Sequence, residues 1–394
     1  MNDSNVVIVA IARTPVGSFQ GALAGIPAPK LGAIAIQGAL TRAGLKTDQV
    51  SEVIMGNVLT AGEGQAPARQ AAIFAGIPNT VPALTVNKVC GSGMKAVMLG
   101  TQSILLSDSD VVVAGGMESM SQAPYLVPNA RSGFRMGNQQ FIDSMINDGL
   151  WDPYNNQHMG MCGELCAKER GFTRAAQDAY AIESFKRAQD AQKTGKFNDE
   201  IVSVEIQGRK GDVTQFTVDE GPAKVQFDKI PGLKPAFDKT GTITAANAST
   251  LNDGAAALVL MSEAKAKQLG IQPLAKILSY GVNAQDPVWF TTAPAEAARR
   301  AMKKVGWTAQ DVDLWEVNEA FAVVPMAFSQ DLGISFDKLN VRGGGISIGH
   351  PIGASGARIL VTLISALKEK HLKRGVAAIC IGGGEGTAVC VELC

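Results

Sequence analysis

The chain carries six cysteines and three histidines, and two of those cysteines and one histidine fall on glycine turns. Cys90 lies in Val89-Cys90-Gly91-Ser92-Gly93-Met94-Lys95-Ala96. An apolar, β-branched stretch, Leu84 to Val89, reads as a strand before it. A helix-forming stretch, Met94 to Ser103, follows it. A sulfur at that point meets the free N–H groups and positive end of a helix, which favour a thiolate. A thiolate there is a candidate covalent nucleophile; the alternative is a buried cysteine packing as a small hydrophobe. Three further segments carry reactive groups at strand ends or helix starts: Asn318-Glu319-Ala320-Phe321-Ala322, Gly349-His350-Pro351-Ile352-Gly353-Ala354-Ser355-Gly356, and Cys380-Ile381-Gly382-Gly383-Gly384. Singly they read as a helix cap, a turn histidine and a core cysteine. Together they supply an amide, an imidazole and a second thiol.

The elements that must position these groups follow a βαβα rhythm. Val6 to Ala10, Val53 to Asn57, Leu84 to Val89 and Val111 to Ala114 read as strands. Leu31 to Ala43, closed by Gly44, and Pro67 to Ala75, closed by Gly76, read as helices. From about Ser119 to Asn247 the rhythm breaks into Pro, Asn and Gly clusters, with one clear helix, Arg174 to Lys193, and charged strands such as Ile201 to Ile206. This stretch reads as an insertion that carries binding surface. After Ala255 to Met261 the opening rhythm returns. Leu274 to Tyr280, Val312 to Val317, Leu339 to Arg342 and Val376 to Cys380 read as strands; Pro294 to Val305, Ala320 to Leu332 and Ala354 to Lys368 read as helices. Val111 to Ala114 and Val376 to Cys380 both run into Gly-Gly, at an offset of roughly 260–270 residues, which marks a duplicated domain and not a short repeat. Two such halves facing each other bring their glycine turns together at a pseudo-twofold, where a cleft is a natural site.

Composition narrows the function class. The 394 residues include 36 basic and 36 acidic side chains, so the basic excess of a nucleic-acid or membrane-surface binder is missing. No apolar run approaches the ~18 residues of a membrane span. The start, Met1 to Asn5 before the first strand, shows neither a signal-type apolar core nor an Arg/Ser-rich presequence. Spread cysteines suit a reduced compartment better than a disulfide scaffold. The expectation is a soluble cytoplasmic protein.

Taken jointly, the four segments resemble the thiolase family, most closely its short-chain biosynthetic type. The likeness extends through Ala12-Arg13-Thr14-Pro15, Gly56-Asn57-Val58-Leu59, Gly115-Gly116-Met117-Glu118-Ser119-Met120, Lys234-Pro235-Ala236-Phe237-Asp238-Lys239 and Asn247-Ala248-Ser249. The resemblance implies an α/β fold of duplicated βαβαβαββ halves in a five-layered α-β-α-β-α core with an inserted loop domain. It places the first half at residues 1–118, completed by about 248–270, the insertion for coenzyme binding and oligomerisation at 119–247, and the second half at 271–394.

The resemblance implies acetyl-CoA C-acetyltransferase activity: the reversible Claisen condensation of two acetyl-CoA to acetoacetyl-CoA and CoA. Cys90 would be the acylated nucleophile and His350 its base, and Cys380 the general acid/base that takes the α-proton. His350 and a water held by Asn318 would form one oxyanion hole, and the N–H groups of Cys90 and Gly382 the other. Coenzyme contacts would come from Leu150, His158, Met159, Lys224, Phe237, Ala245, Ser249, Leu251, Ala320 and Phe321. Coenzyme A thioesters are the substrates and no cofactor is permanently bound. The Ala123 to Met136 region resembles the family's tetramerisation loop, which implies a homotetramer, a dimer of dimers.

Some positions depart from the family pattern. The segment Asp219 to Lys224 lacks an arginine expected at the coenzyme's adenine or phosphate end, which leaves Lys224 or Lys229 as point charges. Arg342 and Glu385 replace the usual Asn and Gln or Met; a carboxylate turned toward Cys380 would raise that thiol's pKa. Cys162-Gly163 and Trp289 to Thr292 also differ. Rival readings are a 3-ketoacyl-CoA thiolase of broader chain length, a ketoacyl-synthase-like condensing enzyme, and a degenerate acyl-binding protein. His158, Cys162 and Cys166, at i, i+4, i+8, form a candidate metal set on one helical face, although Gly160 and Gly163 weaken a helix there.

Overall fold

The computed structural model describes residues 5–208 and 211–394. Met1–Ser4, most of the stretch read for a leader, and Arg209 and Lys210 lie outside the described residues.

The first half runs β1 (Val6–Arg13), α1 (Ala28–Ala43), β2 (Glu52–Gly56), α2 (Pro67–Phe74), β3 (Ala83–Val86), α3 (Ser92–Leu105), β4 (Val111–Ser119) and, after the insertion, β5 (Asn252–Ser262). The second repeats it: β6 (Ala275–Ala284), α6 (Ala293–Val305), β7 (Leu314–Val317), α7 (Val323–Leu332), α8 (Ile352–Glu369), β8 (Arg374–Ile381) and β9 (Glu385–Leu393). The labels α4 (Met159–Arg170) and α5 (Arg174–Lys193) belong to the insertion. Three parallel strands in the first half (β3, β2, β4) and a parallel pair in the second (β7, β8) are extended by antiparallel strands, and the halves join edge to edge where Val6–Ile8 of β1 runs antiparallel to Ala275–Ile277 of β6.

The layers follow from which faces are apolar. Strands β4, β5 and β8 read as continuous buried runs, as expected of strands covered on both sides. One core packs α1 and α2 onto the outer face of the first sheet. Another packs α6 and α7 onto the outer face of the second. Between the sheets lie α3 and α8, with Met94, Val97, Ile359, Leu360 and Leu363 in one shared core. Helix α8 is buried from Ile352 through Leu367, as a helix apolar all round must be. The duplication is the one the rhythm anticipates, and the five layers are those the resemblance implies.

Helices α3 and α8 approach through glycines. A Cβ on Gly93 would sit 2.9 Å from Ala357 N, and one on Gly356 would sit 2.5 Å from Met94 N. A Cβ on Gly116 would collide with the Gly353 carbonyl. The insertion is fastened to β1 by a buried cation: Arg13 donates to Glu200 at 2.9 Å and to Asp219 at 2.7 Å, with Phe197 beneath its guanidinium. An unpaired charge there would be costly; bidentate pairing satisfies it.

Three local expectations fail for identifiable reasons. The strand before Cys90 ends at Val86, not Val89. Leu339 to Arg342 is not a strand: Leu339 makes one isolated bridge to Trp315, and the Asn340 side chain takes over the pairing by bonding both the N–H and the C=O of Val317. Residues 320–322 do not open α7; they pair with 247–249, where the insertion rejoins the first half, through an Ala248–Phe321 bridge. In the first, bonds within the Cys90 turn take up the backbone after Val86; in the other two, tertiary partners replace the local pattern.

Gly116→Ala is expected to lower the melting temperature by roughly 5 °C, since overpacking typically costs about 1–3 kcal/mol. A variant melting with the parent would show that β4 and the head of α8 tolerate a side chain at their contact.

Candidate active site

Because α3 and α8 cross near their starts, both N-termini open on one region at the junction of the halves. Cys90 precedes α3 and His350 precedes α8. Both are buried, at 5% and 4% exposure. The turn that presents Cys90 is strained at Val89, whose φ is 44°. A β-branched residue in the left-handed region is a real outlier, costing of order 1–3 kcal/mol. The glycine beside it carries none of this: Gly91 has φ −84°, and it is small because a Cβ would strike Ile381. The turn is held by Lys88 N donating to Ser92 Oγ at 2.8 Å, Ser92 Oγ donating to Val89 O at 2.6 Å and Val89 N donating to Asn87 Oδ1 at 3.0 Å.

Cys380, fully buried, ends β8 and closes the site from the second half. The N–H groups of Gly382 and of Cys90 itself face the Cys90 thiol. The N–H groups of Cys380 and Ala320 face the Cys380 thiol, and the two sulfurs are close enough for the charge of Cys90 to raise Cys380. Asn318 Nδ2 lies 3.4 Å from His350 Nε2, and its buried Oδ1 has no protein partner. His350 N donates to Asn252 Oδ1 at 2.9 Å, which sets the ring at the head of α8.

Protonation departs from the local expectation of a thiolate. Burial pushes the Cys90 thiol up to about 12, outweighing the two N–H groups that pull it down. Burial holds Cys380 well above the ordinary thiol value. Burial, with the charge of Arg358 behind it, lowers His350 to about 3. The resting site therefore holds neutral thiols and a neutral imidazole. The helix terminus is present, but removing water costs the thiolate more than the dipole returns.

The structure brings the expected coenzyme contacts to four places. Leu150 and Leu251 pack against the core that contains Cys90. His158 stacks on Phe237 at 4.6 Å, Phe237 meets Phe321 edge-on at 5.9 Å, and Met159 sits 3.3 Å from where a Cβ on Gly382 would be. Ala245 and Lys224 line a cleft of about 430 Å³ with Lys229, Ile230 and Leu233. Ser249 N bonds Ala320 O at 2.9 Å, joining the segment just after the insertion to the second half.

The departing residues also find their places. Glu385 does not face Cys380; it pairs with Lys88 and so ties the Cys90 turn to the β8–β9 hairpin. Arg342 points away, to Ser365 Oγ at 2.9 Å and Glu369 near the C-terminal end of α8, where a cation suits the helix dipole. Helix α4 forms despite Gly160 and Gly163, because side chains there would strike Phe237 and Ile243. His158 caps that helix, its Nδ1 accepting from Gly160 N at 3.0 Å, while Cys162 and Cys166 are buried in its core. No cluster of three or more metal-ligating side chains occurs among the described residues.

Two buried carboxyls that spacing did not mark hold the loops. Glu118 accepts from Asn57 Nδ2, Val58 N, Leu59 N and Gly353 N at 2.8–3.1 Å, linking the first half to the head of α8. Glu319 accepts from Tyr180, Ser184, Asn340 and Ile346 N at 2.8–3.1 Å, fixing the segment that carries Asn318. Neither could be found from local sequence, since their partners lie on distant segments.

Residues 6–264 match the thiolase N-terminal domain and residues 271–393 the thiolase C-terminal domain. The chain is 58% identical over 390 residues to an acetyl-CoA acetyltransferase of Cupriavidus necator, covering 99% of each. It superposes on a Bacillus anthracis acetyl-CoA acetyltransferase with TM-score 0.97 at 43% identity, covering 99% of both chains. A thiolase from Ascaris suum in complex with coenzyme A matches with TM-score 0.94 at 44% identity, over 99% of this chain and 100% of that one.

With the thiol near 12 and the imidazole near 3, alkylation of Cys90 by iodoacetamide is expected to show neither an inflection near pH 6.5 nor a plateau near pH 8.5. Either feature in the rate profile would mean that the group titrates as it does in water.

Proposed function

The chain belongs to the thiolase family and is an acyltransferase; we propose that it works as an acetyl-CoA C-acetyltransferase through an acyl-Cys90 intermediate. The observation that carries this reading is the pair of buried thiols, Cys90 and Cys380, each met by two backbone N–H groups at the junction of the halves. A generic Cys-His enzyme needs one thiol. A Claisen condensation between thioesters needs a nucleophile and a separate acid/base.

The neutral resting state sets the order of proton movements. Cys90 attacks the thioester carbonyl of the first acetyl-CoA while its proton passes to Nε2 of His350. The tetrahedral intermediate expels the coenzyme thiolate, which takes the Cys380 proton and leaves as CoA. Cys380 is now the base. It removes the α-proton of a second acetyl-CoA, whose enolate oxygen is held by His350 Nε2–H and the Asn318 site. The α-carbon attacks acyl-Cys90, and the new oxyanion lies against the N–H groups of Cys90 and Gly382. Collapse releases acetoacetyl-CoA, and Cys90 recovers its proton from His350. Preorganised donors of this kind are commonly worth ~10²–10³ in rate each. Splitting one carbon–carbon step into two easier ones is the gain from the covalent intermediate.

His158, Met159 and Phe237 narrow the space beside Gly382 and favour a short acyl chain over the broader 3-ketoacyl range. The second thiol favours this reading over a decarboxylating, ketoacyl-synthase-like condensation. Lys224 and Lys229, in the cleft with Ala245, are cations available to the coenzyme's phosphates in place of the missing arginine. Residues 119–247 then serve as the coenzyme-binding and oligomerisation insertion. Tyr125, Met136 and Phe141 there are 65%, 95% and 72% exposed, as suits a loop that another subunit covers in a dimer of dimers. No helix among the described residues is long and apolar enough to cross a membrane. We place the enzyme in the cytoplasm, in short-chain fatty acid metabolism, with no permanently bound cofactor.

Cys90→Ala is expected to abolish acyl-enzyme formation, read by mass spectrometry after incubation with acetyl-CoA; label elsewhere at a catalytic rate would remove Cys90 as nucleophile. Cys380→Ala is expected to keep some Cys90 acylation but lose carbon–carbon bond formation, and intact condensation would move the base role to another group. Thiolysis of acetoacetyl-CoA is expected to exceed that of a 3-ketoacyl-CoA longer by two or more carbons by ~10²-fold in kcat/KM; equal values would favour the broad-range reading.

A further inference from the structure

We propose that Ser355 is a positioning residue that holds His350 with its proton on Nδ1, so that Nε2 offers a bare lone pair to the Cys90 thiol. The inference rests on the reading of His350 as the base. It adds the group that makes the ring usable as one.

Two contacts, on opposite sides of the ring, carry it. Ser355 is fully buried one turn into α8, and its Oγ lies 2.6 Å from His350 Nδ1. The same Oγ lies 2.8 Å from the Pro351 carbonyl, four residues back in the helix. A carbonyl only accepts, so the single hydroxyl proton points to it, which is the usual back-bond of a helical serine. The oxygen then turns lone pairs toward the ring, and Nδ1 must donate. On the far side Asn318 Nδ2, a donor, lies 3.4 Å from Nε2, too far to occupy the lone pair but placed to disfavour an N–H on that nitrogen. Both neighbours thus select one tautomer. In the other tautomer an N–H would meet the amide N–H of Asn318, and a bare Nδ1 would meet the serine lone pairs.

The choice matters because the ring stays neutral in its buried setting, so its one proton decides which nitrogen is basic. With the proton on Nδ1, Nε2 accepts from Cys90 and later donates to the enolate oxygen. The imidazolium formed in between keeps its Nδ1–H on Ser355. The role parallels that of the buried carboxylate in a Ser-His-Asp triad, where the wrong tautomer costs ~10⁴ in kcat. A neutral hydroxyl exerts weaker control.

The chain has only three histidines, so selective 15N-histidine labelling with solid-state NMR resolves them, and His350→Asn assigns the signal that disappears. The parent enzyme is expected to show a protonated Nδ1 and a bare Nε2 at His350. Ser355→Ala is expected to populate the opposite tautomer and lower kcat for thiolysis of acetoacetyl-CoA by about 10- to 100-fold, with KM little changed. Ser355→Thr, which keeps the hydroxyl, is expected to restore both, and melting curves identify any variant that fails to fold. A parent ring protonated on Nε2, or a folded Ser355→Ala that retains the Nδ1–H tautomer and its rate, would overturn the proposal. If His350→Asn acylates Cys90 at the parental rate while the parent ring is protonated on Nδ1, the base reading fails and the tautomer assignment stands.

Discussion

The contact between α3 and α8 is the constraint from which the site follows. Two helices whose backbones touch through Gly93 and Gly356 cannot hold larger side chains between them, and Gly116 of β4 lets the head of α8 settle against the sheet in the same way. Their closeness brings the residues just ahead of both N-termini, Cys90 and His350, to one place. It also buries that place between two sheets. Proximity and desolvation are therefore one structural fact, and both shape the chemistry: reacting groups are pre-oriented, and charges on them are disfavoured until substrate arrives.

That burial explains why the site is built from so many backbone donors. A thiolate formed here cannot be stabilised by bulk water. It depends on N–H groups fixed in advance at Cys90, Gly382, Cys380 and Ala320. These lie on separate segments, and their alignment is kept by polar side chains outside the reaction. Glu118 ties the loop at Asn57 to the head of α8, Glu319 ties the Asn318 segment to α5, and Lys88–Glu385 ties the Cys90 turn to the hairpin beyond Cys380. Arg13 with Glu200 and Asp219 joins the insertion to the first sheet. Each anchor is a long-range pair, and each restrains a loop that its own sequence would leave free.

Strain and pairing were the parts least visible beforehand. The turn at Cys90 was recognisable by its glycines, yet the strained residue is Val89, and the glycines serve close approach instead. The third strand of the second half is reduced to a bridge at Leu339 because the Asn340 side chain substitutes for backbone pairing. Gly160 and Gly163 read locally as helix breakers, but α4 forms around them because Phe237 and Ile243 need the space. Glu385 looked like a possible influence on Cys380, and Arg342 departed from the family pattern; each has a partner elsewhere. In all these cases the deciding partner is distant in sequence.

The sequence by itself determined the βαβα rhythm, its repetition after the insertion, and the residue types at the turns, because periodicity and turn chemistry are local properties. It therefore named Cys90, His350, Asn318 and Cys380 as the groups able to react. Only the tertiary structure decided which of them face one another, which nitrogen of His350 bears the proton, and that the resting thiols are neutral. Those outcomes depend on burial and on neighbours such as Ser355, Arg358 and Gly382. The free energy of a charge is set by everything within a few ångströms of it, and most of that comes from other parts of the chain.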